Sequence, residues 1–68
     1  MSSPLLNSKV ISSSATAEAL LDYWQEGHYY EVSEALKGRP APEVVHFCNL
    51  LARYAGRGHL DVLQRLMN

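Results

Sequence analysis

Tyr23-Trp24-Gln25-Glu26-Gly27-His28-Tyr29 in the first half of the chain is answered by Tyr54-Ala55-Gly56-Arg57-Gly58-His59-Leu60 in the second. Tyrosine, glycine and histidine each return 31 residues further on, as the pairs Tyr23/Tyr54, Gly27/Gly58 and His28/His59. Apolar positions keep the same step at Ala19/Leu50, Leu20/Leu51, Tyr29/Leu60, Val32/Leu63, Ala35/Leu66 and Leu36/Met67. A period of about 20–50 residues, with a glycine between two helical stretches, marks a stack of helical hairpins. The expected fold class is therefore all-α, with two stacked antiparallel helical hairpins forming a short right-handed α-solenoid segment.

Before Gly27, the residues Ala17, Leu20, Leu21 and Trp24 recur at three- and four-residue spacing, which makes one apolar helical face. Ser13, Ser14 and Thr16 offer hydroxyls for an N-cap, and Glu18 brings negative charge to the first turn, where the helix dipole favours it. This predicts helix one over about 15–26. Tyr29, Val32, Ala35 and Leu36 give helix two over about 28–37, ended by Gly38 and followed by a linker, Arg39-Pro40-Ala41. Pro42 suits the first turn of helix three, over about 42–56, because its missing N–H has no partner to lose there. Val44, Phe47, Cys48, Leu51, Tyr54 and Ala55 form that helix's stripe, with Leu50 beside it. Gly56 and Gly58 end helix three, with Gly58 as the left-handed cap; helix four starts at His59 or Leu60 and presents Leu60, Leu63, Leu66 and Met67. The expected organisation is a flexible leader or linker over 1–14, one hairpin over 15–41 and a second over 42–68. The second hairpin reads as cut short in mid-array. Within the leader, Leu5, Leu6, Val10 and Ile11 are expected to pack as a partial turn on the first hairpin.

Composition narrows the function. The chain has 68 residues, a formal net charge of −1 and a single cysteine, Cys48. One small domain is the most this length allows, and such a domain buries only about 60% of its unfolded surface. No internal disulfide forms from one thiol, and its apolar setting fits a reduced compartment and an inert side chain. The basic excess that phosphate contacts demand of a nucleic-acid binder is missing. No apolar run reaches the roughly 18–20 residues that span a membrane. The first fourteen residues hold six serines but no arginine, a poor match to an organellar transit peptide.

Helices three and four together resemble a pentatricopeptide repeat. Pro42-Glu43-Val44-Val45-His46-Phe47-Cys48-Asn49-Leu50-Leu51 looks like the opening P-D-V-V-T-Y-N-x-L-I of that family, and Tyr54, Gly58, Leu60 and Asp61 stand at its later tyrosine, glycine and L-D positions. The likeness covers 42–68 well and 15–41 loosely, through Leu20, Leu21, Tyr23, Gly27 and Val32. Gly27-His28-Tyr29-Tyr30 also matches the G-x-x-Y element of tetratricopeptide repeats, whose period of about 34 residues and later marks do not line up here. The pentatricopeptide resemblance implies a non-catalytic module binding single-stranded RNA in a mitochondrion or plastid, one base per repeat. It carries RNA contacts onto Ala17 and Glu43, the latter as the residue that ends the first repeat, and onto Cys48 and Val45 in the second. Readers of this family are normally Asn, Ser, Thr or Asp, whereas Cys48 is a weak donor and Ala17 has no polar group. The alternative is a tetratricopeptide-like protein-interaction module, for which the location would be cytoplasmic and the aromatic residues Trp24 and Tyr30 the exposed interface candidates. Their repeat partners, Ala55 and Asp61, suggest partial exposure.

No chemistry is legible. His28, His46 and His59 lack converging partners at zinc-ligand spacing, so no metal or cofactor is expected. Asp22, Glu26, Glu31, Glu34 and Asp61 are scattered along polar helical faces, and no nucleophile motif or phosphate loop occurs. Glu26 opposes the dipole of helix one, a small penalty that the helix either tolerates or offsets with a neighbour such as Arg57 of the next hairpin. The exposed ends of a short array are expected to favour self-association.

Overall fold

Thr16 sets the start of the first helix. Its hydroxyl accepts a hydrogen bond from the Ala19 N–H at 3.1 Å, satisfying one of the four amides that a helix start leaves unpaired. Helix α1 then runs Ala17–Gln25, α2 Tyr29–Lys37, α3 Ala41–Tyr54 and α4 Arg57–Met67. These are the elements of a computed structural model that describes residues 11, 12 and 14–68. No strand occurs among the described residues, and the fold is all-α. Leu5, Leu6, Val10 and Ser13 lie outside the described residues. Ile11 packs against the core.

The two hairpin turns are built differently. After α1, Gly27 takes φ +99°; its N–H donates to the Trp24 carbonyl at 2.9 Å, and the His28 N–H donates to the Tyr23 carbonyl at 3.0 Å. This pair of bonds is a Schellman closure, which needs a positive φ at the glycine. After α3 the positive φ belongs to Gly56, not Gly58. Gly56 sits at φ 100° and ψ 158°, a region open in practice only to glycine, and its N–H donates to the Leu51 carbonyl at 3.1 Å. Gly58 lies inside α4, which begins at Arg57, two residues before His59, the earlier of the two expected starts. The 31-residue register of identities is thus not the structural register. The two turn glycines stand 29 residues apart, and α1 has 9 residues where α3 has 14. Pro40 is the N-cap of α3 and Ala41 its first residue, so Ala41 belongs to the second hairpin rather than the linker.

α1 packs on α2 and α3, and α4 packs on α3 and α2, as expected of two stacked hairpins. α1 and α3 run side by side in the same direction: Thr16 and Ala17 lie near Pro42, Glu43 and His46, and Leu21 and Gln25 near Leu50 and Tyr54. The core contains Leu20, Leu21 and Trp24 from α1, Val32 and Leu36 from α2, Phe47 and Leu51 from α3, and Leu63 from α4. Trp24 is the meeting point of all four helices. Its ring lies 4.6 Å from that of Tyr29, 6.2 Å from Phe47 and 6.1 Å from His59, centroid to centroid. Its indole N–H donates to Nδ1 of His59 at 2.9 Å.

Three side chains depart from the expected pattern. Trp24 is fully buried, not partly exposed, because its apolar stripe with Leu20 and Leu21 outweighs its repeat match to Ala55. Tyr54, expected in the stripe of α3, is 60% exposed, since it points to the α1 side of the helix beyond the core. Ser33, absent from the expected face of α2, is completely buried; its hydroxyl donates to the Tyr30 carbonyl at 2.6 Å, which removes the penalty for burying it.

Candidate functional site

The parallel pairing of α1 and α3 leaves a groove between them. Leu21, 7% exposed, and the half-buried Leu50 form its floor, and Tyr54 closes one end. Its α1 wall carries Glu18, Asp22 and Gln25, all exposed, around a volume of about 390 Å³. Glu18 and Asp22 stand four residues apart on one ridge of α1, and Glu26, the C-cap, continues that step past the lining of the groove. Like charges at that spacing cost a helix a few tenths of a kcal/mol each. Glu18 reaches across to Nε2 of His46 on α3 at 3.6 Å, and Glu26 lies 3.6 Å from Nε2 of His28. Arg57 is not the partner of Glu26. The carboxylate of Asp22 has no hydrogen-bond or ion-pair partner among the described residues.

Toward the N-terminal ends of α1 and α3 lies a separate cleft of about 220 Å³, lined by Thr16, Ala17, Leu20, Arg39, Pro42, Glu43 and His46. The one strong cation there is already committed. The Arg39 side chain is 10% exposed; Nη1 donates to the Ala15 carbonyl at 2.6 Å and to Glu43 Oε1 at 3.4 Å, while Nη2 donates to the Ser12 carbonyl at 3.4 Å. Arg39 therefore ties the segment before α1 to the start of α3, and is not a partner of Asp22. Arg53 is exposed on α3 but does not line the groove.

The residues carried over by resemblance are split. Ala17 and Glu43 share the N-terminal cleft. Val45 is 57% exposed and lines neither the groove nor that cleft. Cys48 faces the opposite side of α3, in an apolar cleft of about 350 Å³ with Leu60, Leu63, Gln64, Met67 and Asn68. Burial pushes its thiol pKa upward. Of the two aromatic candidates, Tyr30 is 60% exposed and Trp24 presents no surface at all. The groove itself was missed in the sequence. Its signal was the carboxylate row at four-residue steps beside Leu21, which is visible only once α3 is known to run parallel to α1.

Among the described residues no three His, Cys, Asp or Glu side chains come together, and no helix is long and apolar enough to cross a membrane. Compared with known family models, curated proteins and solved structures, the chain matches none.

Proposed function

We propose that this chain is a non-catalytic helical-hairpin module that holds a protein segment in the α1–α3 groove. The observation that carries this is the groove's make-up: an apolar floor of Leu21 and Leu50, an aromatic end at Tyr54, and an acidic α1 wall. An apolar strip with a polar rim is the usual make-up of a surface that recognises a peptide or helix. The same acidic wall works against RNA, because phosphates approaching Asp22 and Glu18 meet like charge, and among the described residues no Lys or Arg lines that groove.

RNA binding of the pentatricopeptide type is the second proposal, in a mitochondrion or plastid. What supports it is the shared cleft of Ala17 and Glu43, the two positions that this resemblance assigns to base reading in the first repeat. The two separate in affinity capture from extract, performed with and without ribonuclease and repeated with Leu50→Asp. Partners that survive ribonuclease and disappear with Leu50→Asp support the protein module. A discrete RNA lost on ribonuclease treatment, and unaffected by Leu50→Asp, supports the RNA proposal instead.

A further inference from the structure

We infer that the occupant of the α1–α3 groove is a basic amphipathic helix of a partner protein, with Lys or Arg at four-residue spacing on the row of Glu18, Asp22 and Glu26. This deepens the protein-binding proposal above and rests on it. Charge complementarity fixes the sign. Among the described residues, Arg39 is tied to two backbone carbonyls and Glu43, and His46 is the only ion-pair partner of Glu18. Asp22, in the middle of the row, faces the groove with no partner among the described residues.

Spacing fixes the form. Carboxylates four residues apart on a helix recur about every 6 Å along its axis, since each residue rises about 1.5 Å. Cations on a second helix laid along α1 recur at the same interval, so a helix matches the row without distortion. An apolar side chain on the neighbouring stripe of that helix would then drop between Leu21 and Leu50, with Tyr54 against its end. A partner cation also relieves the repulsion within the row, which the free protein bears unrelieved at Asp22. The groove's apolar floor supplies most of the affinity; the charges select the partner and steer its approach.

The test is a titration of the full ¹⁵N-labelled chain, followed by amide shifts, with three probes. One is a helical peptide of about fifteen residues carrying three Lys at four-residue steps beside a Leu stripe. The second has Glu at those three positions, and the third is a uridine oligonucleotide. The expected result is saturable shifts of Leu21, Asp22, Leu50 and Tyr54 with the Lys peptide. Binding should weaken roughly two- to tenfold in the double variant Glu18→Gln, Asp22→Asn, and should weaken as salt rises. Equal or tighter binding of the Glu peptide at these residues would overturn the basic occupant while leaving the groove as a protein site. Lys-peptide binding indifferent to the double variant would have the same meaning. If neither peptide shifts these residues, or if only the oligonucleotide does, both the occupant and the protein-binding proposal fail.

Discussion

Trp24 and His59 are the pair on which the interior turns. A buried indole N–H without an acceptor costs about 1–3 kcal/mol, and here the acceptor is Nδ1 of His59, a residue of a different hairpin. His59→Leu removes the acceptor and should lower unfolding stability by that amount in a denaturant titration. His59→Asn, whose side-chain oxygen takes nearly the place of Nδ1, should recover much of the loss. Equal losses in the two variants would mean that packing, not the hydrogen bond, is what matters at this position. The hydrogen bond also assigns the tautomer: Nδ1 accepts, so the ring's proton resides on Nε2. Cys48 gives a second test on the same scale. Burial raises its thiol pKa, which lowers the thiolate fraction at neutral pH. The raised value favours the protonated, folded form, so this small stabilisation is present below the unfolded thiol's pKa and fades as pH rises past it. Alkylation by iodoacetamide at pH 7 should accordingly be slower in the folded chain than in denaturant, and should accelerate toward alkaline pH. Matching rates in the two states would contradict the assigned environment.

The helices were legible to within two or three residues; the turns between them were less so. Amphipathic spacing and the residues Thr16, Gly38 and Pro42 marked where helices start and stop, because propensity and capping act locally. The second turn was misassigned because Gly58 repeats Gly27 in sequence, while chain geometry gives the positive φ to Gly56. One residue at a turn satisfies carbonyls left open several residues earlier, and no count of identities shows which glycine does so. The two glycines therefore respond in opposite ways. Gly56→Ala forces a side chain into a region hostile to it and should destabilise by roughly 1–3 kcal/mol. Gly58→Ala sits within α4 with nothing inside 4 Å of the added Cβ, and should stabilise by up to about 1 kcal/mol through helix propensity. Thermal melts of the two single variants decide this. A stabilised Gly56→Ala, or a Gly58→Ala as damaging as Gly56→Ala, would move the turn to Gly58.

At the scale of the molecule, the stack was readable but its centre was not. Composition and periodicity imply stacked helical hairpins, because apolar stripes demand burial whatever their neighbours. Which aromatic occupies the centre depends on contacts between hairpins, so Trp24, read as part of the apolar face of helix one but partly exposed, lies fully buried where all four helices meet. The groove is hidden for the same reason: Glu18, Leu21, Asp22 and Gln25 of α1 line it together with Leu50 and Tyr54 of α3. This interdependence carries a consequence for folding. Leu20, Leu21 and Trp24 share one core with Phe47, Leu51 and Leu63 of the other hairpin, so a hairpin alone keeps only the contacts between its own two helices. Removing one hairpin therefore exposes the interior of the other, and helices of 9–14 residues are marginal in water without packing. A peptide comprising residues 41–68 should show far less helicity by circular dichroism than those residues contribute in the full chain. The full chain, in turn, should unfold in one transition whether followed by backbone dichroism or by Trp24 fluorescence. The fluorescence reports the junction and the dichroism all four helices, so coincident curves mean that the hairpins are one cooperative unit. A helical 41–68 peptide, or a Trp24 transition that precedes the loss of helix, would instead make each hairpin a unit that folds by itself and docks afterwards.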